Sequence, residues 1–170
     1  MAAVRTVLSA ETSAQTEFHR FFEAEHRRLT TALYLITGDT SEAEELSQEA
    51  MVRMYERWDR VRRMDSPTGY LYRTALNLHR SRLRRLAVTA RHIARPVPHA
   101  DPAAAAETAD TVNRLLASLP PGQRAALVLV EWLGMDSEEA GRTLGIEAVS
   151  VRVRVSRAKA TLRALEEADG

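Results

Sequence analysis

The 170-residue chain contains no cysteine, which excludes disulfides and thiolate metal sites. It has no signal peptide and no apolar run near the roughly 20 residues needed to cross a bilayer, so a cytoplasmic protein without membrane insertion is expected. Lysine occurs once, at Lys159, and arginine carries the remaining positive side-chain charge. Aromatics are 5% of the residues, and His19, His26, His79, His92 and His99 are scattered without ligand spacing. The chain lacks a glycine-rich phosphate loop, a nucleophile elbow and a metal-binding histidine pair. Nothing in the sequence therefore calls for an enzyme, a cofactor or a metal centre.

What the chain does have is helical periodicity and segregated charge. An apolar content of 45% supports packed cores rather than disorder. The net charge of +1 hides strong alternation along the chain. Residues 61–95 hold nine arginines against Asp65 alone, whereas residues 41–60 hold six acids against three arginines. Such blocks point to binding faces of opposite sign.

The C-terminal third reads as a helix-turn-helix. Pro120 and Pro121 open a helix that Gly134 closes. Asp136 with Glu139 forms a capping box for a short helix through Leu144, and Gly145 permits the sharp turn into a basic helix from about Val149 to Leu165. In that helix Val151, Val155, Ala158, Leu162 and Leu165 form one buried stripe. Arg152, Ser156, Lys159 and Arg163 lie on one flank, and Ser150, Arg154, Arg157 and Thr161 on the other. Cationic and hydroxyl groups at these spacings suit phosphates and base edges. On these residues alone, a helical hairpin with a solvated basic face is the alternative.

Three earlier helices are expected. The first runs from about Thr16 to Ile36, with Phe18, Phe22, Leu29, Leu33 and Ile36 inward and Gly38 at its end. The second begins at Ser41, capped with Glu44, and buries Leu46, Ala50, Met51, Met54, Tyr55 and Trp58, leaving Glu45, Gln48, Glu49, Val52, Arg53 and Glu56 outward. The third starts at Ser66-Pro67 and continues to about Leu86. It packs Leu71, Ala75 and Leu78 inward with help from Tyr72, Leu76 and Leu83, and presents Arg73, Asn77, Arg80 and Arg84 on one face. Between the halves, prolines and small residues from Val88 favour an extended connection. The expected fold is all-α, with two small helical domains joined by a flexible linker: an N-terminal tail at 1–15, a first domain at 16–87, the linker at 88–107 and a second domain at 108–170.

These segments carry a family resemblance. Ile36-Thr37-Gly38-Asp39, Glu42 to Ala50, Tyr55 to Val61 and Tyr70 to Leu78 resemble region 2 of an extracytoplasmic-function (ECF) sigma factor, the group IV type of the sigma-70 superfamily. Leu119 to Arg124, Glu138 to Ile146 and Val151 to Lys159 resemble region 4. The bias to arginine and alanine is similar to that of high-GC actinobacterial proteins. The sequence departs from the family pattern at Ser47, where an aliphatic is frequent. It departs again at Ala140-Gly141, expected to loosen that helix by about 1 kcal/mol for a mid-helix glycine, and at Glu147-Ala148-Val149 in the turn.

The resemblance implies a dissociable promoter-specificity subunit of core RNA polymerase. In this family the acidic helix binds the clamp helices of the largest subunit, which carries over to Glu45, Gln48, Glu49 and Arg53; region 4 meets the flap region of the second-largest subunit. Minus 10 DNA would meet Arg60, Arg62, Arg63, Tyr70, Arg73, Asn77, Arg80 and Arg84, with Tyr70 or Tyr72 able to stack on a base. Minus 35 DNA would meet Ser150, Arg154 and Arg157 nearest the bases and Arg152 and Lys159 nearer phosphates. Many relatives are held inactive by an anti-sigma factor. The competing class is a conventional helix-turn-helix regulator that binds its operator as a symmetric dimer.

Overall fold

A computed structural model describes the backbone of residues 2–90 and 107–169, with side chains from 13–88 and 111–168. Most of the expected linker, residues 91–106, lies outside the described residues. All regular elements described are helical. They are α1 (Ala2–Thr37), α2 (Thr40–Glu56), the single turn α3 (Trp58–Val61), α4 (Pro67–Ala90), α5 (Glu107–Ala117), α6 (Pro121–Leu127), α7 (Ser137–Leu144) and α8 (Ala148–Asp169).

The first bundle packs α1 on α2 and α2 on α4. Leu29, Leu33, Leu46, Met54, Val61 and Leu71 are its fully buried large side chains, each contributing about 1.5–3 kcal/mol on leaving water. Trp58 closes the end of this core, with its ring centroid 5.3 Å from Phe18 and 5.2 Å from Phe21. Three details differ from the sequence reading. Helix α1 begins at Ala2 rather than near Thr16. Helix α2 is capped by Asp39, whose carboxylate accepts from the Glu42 amide at 2.7 Å, and Ser41 already lies inside it. Tyr55 and Leu83, expected inside, are 52% and 42% exposed.

Ser47 is fully buried, and its hydroxyl lies 2.9 Å from that of Thr30 on α1. The polar departure from the family pattern is thus matched by a polar partner on the facing helix. Burial without that partner would be costly.

The second bundle packs α8 against α6 and α7. After Leu127 the helix begun at Pro121 widens into a π-turn over Val128–Trp132, with the Leu133 amide donating to the Val128 carbonyl five residues back. This is the observed form of the single helix expected to run to Gly134. Asp136 caps α7 through the amides of Glu138 and Glu139, and Gly145 ends it at φ +69°. Gly141 has a use that its helix propensity conceals. A Cβ there would stand 2.7 Å from the Ile146 carbonyl oxygen and 3.4 Å from the Ala148 amide nitrogen. The turn folds back onto the helix so closely that only glycine fits.

The two bundles are joined by arginines, each donating to carbonyls at or just beyond the end of a helix in the other bundle. Arg124 of α6, 7% exposed, donates to the Leu35 carbonyl at the end of α1 and to Asn113 Oδ1, and Asn113 Nδ2 lies 3.2 Å from Tyr34 Oη. Arg28 of α1 donates to the Leu133 carbonyl at 2.9 Å. Arg80 of α4 donates to the Leu144 and Thr143 carbonyls that close α7. The last carbonyls of a helix lack intrahelical donors and carry the negative end of its dipole, so a guanidinium satisfies both needs. Burial lowers the pKa of both Arg124 and Arg80, with Arg84 adding repulsion at Arg80; both remain cationic because arginine is not deprotonated in proteins.

Two outcomes follow from this packing. A mid-helix glycine normally costs up to about 1 kcal/mol relative to alanine, but Gly141→Ala should destabilise the chain by about 1–3 kcal/mol through overpacking. Thermal melting reads the sign, and a higher midpoint would refute the close-approach argument. Arg124→Ala should weaken the closed arrangement by about 1–3 kcal/mol, the scale of hydrogen bonds to a charged group. X-ray scattering should then give a larger radius of gyration at unchanged helical circular dichroism; an unchanged radius would show that Arg124 does not hold the bundles together.

Candidate nucleic-acid and protein interfaces

Capping at Asp39 sets the register of α2, so that Ala43, Leu46, Ala50 and Met54 turn inward and Glu45, Gln48, Glu49, Val52, Arg53 and Glu56 are exposed. Glu49 pairs with Arg53 at 2.7 Å, and Glu45 reaches across to Arg82 of α4 at 2.6 Å. Both pairs are solvent-exposed, where such contacts are worth about 0–1 kcal/mol. A partner can replace them at small cost. Val52, 57% exposed, and the exposed Tyr55 add apolar area to this face. Tyr55 follows Met51 at the spacing of the buried stripe, yet its ring meets Phe18 edge-on at 4.9 Å from the rim of that core. The face thus combines carboxylates, an amide and an apolar strip, which suits a basic amphipathic helix or coiled coil.

Helix α3 exposes Arg60, and the loop between α3 and α4 exposes Arg63. Arg62 is engaged within the bundle, 3.0 Å from Glu17 of α1 and 3.3 Å from Asp59. The hydrogen bond from Arg62 is the main cause that lowers the Glu17 pKa. Tyr70 is half-buried, and its hydroxyl accepts from Arg57 at 3.0 Å, which raises the Arg57 pKa. Arg57 was not among the candidate residues, and nothing in its sequence context distinguished it from its arginine neighbours. Tyr72 is 2% exposed, and burial pushes its phenol pKa upward. With its ring inside the core, Tyr72 has no face to offer a base, which leaves Tyr70.

Along α4, Arg73, Asn77 and Arg84 are exposed on one side. Arg80 shares that side, but its guanidinium turns toward α7 while also donating to Asn77 Oδ1 at 2.8 Å. Tyr70 and Arg73 line a cleft of about 150 Å³ that is closed from the other bundle by Glu139, Arg142 and Thr143. The packing of α4 on α7 therefore occupies part of the cationic face.

On α8, Val151, Val155 and Ala158 are buried and Leu162 and Leu165 half-buried, as the periodicity requires. Arg152 and Arg157 are exposed, and Ser150 is half-buried. Arg154 is also half-buried, and its guanidinium lies so near Gly122 that a Cβ there would meet Nη1 at 2.9 Å. Lys159 pairs with Glu131 at 2.7 Å. Arg152, Ser156, Lys159 and Arg163 line a groove of about 350 Å³ beside Val130. The cations of α8 thus fall into two groups, with Arg152, Arg157 and Arg163 exposed and Arg154 and Lys159 held against neighbouring helices. Among the described residues no helix is long and apolar enough to cross a membrane.

Comparison with known proteins fits this geometry. Residues 21–89 match the sigma-70 region 2 family, and residues 109–162 match the sigma-70 region 4 family. The ECF RNA polymerase sigma factor SigM of Mycobacterium tuberculosis is 32% identical over 152 residues, covering 87% of this chain and 76% of that protein. The RNA polymerase sigma-E factor of Streptomyces coelicolor is 28% identical over 149 residues, covering 86% and 84%. In fold, the chain is similar to the sigma factor RpoE solved in complex with the anti-sigma factor NepR from Bartonella quintana. The TM-score is 0.75 at 20% identity, with 91% of this chain and 99% of that one covered. With region 2 and region 4 in sequence order and the α4, α7 and α8 surfaces where they are, the chain belongs to the ECF RNA polymerase sigma factors.

Proposed function

We propose that this chain joins core RNA polymerase and directs it to promoters by dividing the task between its two bundles. Glu45, Gln48, Glu49 and Arg53 dock on the clamp helices of the largest subunit, with Val52 and Tyr55 supplying the apolar centre of the contact. The second bundle rests on the flap region of the second-largest subunit. Arg60, Arg62, Arg63, Tyr70, Arg73, Asn77, Arg80 and Arg84 grip the separated strands near minus 10, where Asn77 is the residue able to bond a base edge. Ser150, Arg152, Arg154, Arg157 and Lys159 belong to the surface that enters the major groove near minus 35. Of these, Arg157 and Arg152 need no rearrangement to reach DNA. The chain acts in the cytoplasm as a binding factor, and the bond-making chemistry belongs to the polymerase.

The observation that carries this reading is one region 2 bundle with an acidic and apolar face on α2 and an arginine face on α4. One face suits a basic protein surface and the other a nucleic acid. A symmetric operator-binding dimer needs neither. Because Arg80 and Asn77 are engaged beside α7 in the closed form, promoter engagement requires α4 and α7 to part. Polymerase binding supports that opening by holding each bundle on its own site. An anti-sigma factor would have the opposite effect if it covered α2 or held the closed form.

Glu45→Arg places a second cation beside Arg82 and removes one carboxylate from the docking face. It should reduce retention of core polymerase in a pull-down at least ten-fold, while melting stays within about 1 kcal/mol, as for an exposed pair. Undiminished retention would remove the α2 face from the interface. Arg157→Ala should leave retention unchanged and lower promoter-directed initiation several-fold in a reconstituted assay. If polymerase retention fell as well, α8 would be serving the polymerase rather than DNA.

A further inference from the structure

The outer midline of α8 is apolar. At 100° per residue, the positions most nearly opposite the buried stripe of Val151, Val155 and Ala158 are Val149, Val153 and Ala160. All three are exposed, Val149 by 55% and Val153 by 43%. On either side of this midline stand positively charged flanks, Arg152, Lys159 and Arg163 on one and Arg154 and Arg157 on the other. A helix lying in a major groove has phosphate backbones to both sides and base edges beneath its midline. The charge arrangement on α8 matches that layout, and it sets the two valines over the bases. Neither valine belongs to the buried core. β-Branched residues lower helix propensity, and exposed ones gain little packing in return.

We propose that Val149 and Val153 select thymine in the minus 35 element by covering its C5-methyl group. Among major-groove edges, thymine alone offers a methyl group, and aliphatic side chains recognise it by apolar contact. Four residues of helix advance about 6 Å, close to two base steps at about 3.4 Å each. The two valines therefore address two thymines about two base pairs apart. The inference rests on the sigma-factor reading above and adds a base preference to it. It also gives a use to the departure from the family pattern at Val149.

The test uses the full chain assembled with core polymerase, on a promoter selected from a library randomised upstream of a fixed minus 10 element. Each thymine of the selected minus 35 element, on either strand, is replaced singly by deoxyuracil, which removes only the methyl group. Two replacements about two base pairs apart should weaken complex formation about three- to five-fold each, the scale of one buried methyl. Val149→Ser and Val153→Ser, checked by thermal melting, should each abolish the penalty at one of those positions and leave it at the other. The proposal is overturned if no uracil replacement matters, or if the serine variants keep both penalties while promoter selection persists. If no upstream sequence is selected and no promoter complex forms, the sigma-factor reading itself fails.

Discussion

The arrangement of this molecule depends on how the carbonyl ends of its helices are satisfied. Three of them, at Leu35, Leu133 and Leu144, receive a guanidinium from the opposite bundle. A buried cation is ordinarily costly. Here Arg124 carries no carboxylate among its described partners, and carbonyl dipoles with Asn113 take that place. Such a contact is directional and discrete, so it can be broken as a unit.

The same chemistry lets one residue type serve both the closed chain and, in the function proposed, DNA. A guanidinium bonds backbone carbonyls and phosphate oxygens through the same planar donors. For Arg80 the two would compete, because the donors it gives to α7 are those it would give to a nucleic acid. On α2 the converse holds. Glu45 and Glu49 of its outer face are paired with Arg82 and Arg53 near the surface, where water already screens those pairs. The surface proposed to meet the polymerase is thus available in the closed form, while the surface proposed to meet the promoter on α4 is partly spent. Polymerase binding would precede promoter binding for this electrostatic reason.

Much of the fold was legible in the sequence because the signals were local. Periodicity placed Leu29, Leu33, Leu46, Met54, Leu71 and Val151 inside, and the Asp136 box with Gly145 located the helix-turn-helix. Other features depended on partners distant in sequence. Nothing near Arg124 or Arg28 announces that its guanidinium will meet a helix end 89 or 105 residues away. Tyr55 and Tyr72 look alike as aromatics on amphipathic helices, and only packing distinguishes the rim from the core. Gly141 read as a weakness because helix propensity is a local quantity, whereas its contact with the Ile146 carbonyl is set by the following turn. Residues 2–15, read as a tail, extend α1; their small and polar composition gave only a weak apolar period. The charged faces proposed to bind partners were visible as charge runs. Which members project and which are held, as Arg157 and Arg154 illustrate, was decided by tertiary contacts.

The most direct measurement is transcription by purified core polymerase on fragmented genomic DNA, with and without the folded chain, followed by mapping of RNA 5′ ends. Discrete start sites that appear only when the chain is present, and that share two short upstream elements at a fixed spacing, are predicted. The same pattern of ends with and without the chain, or none in either case, would contradict a role in promoter selection.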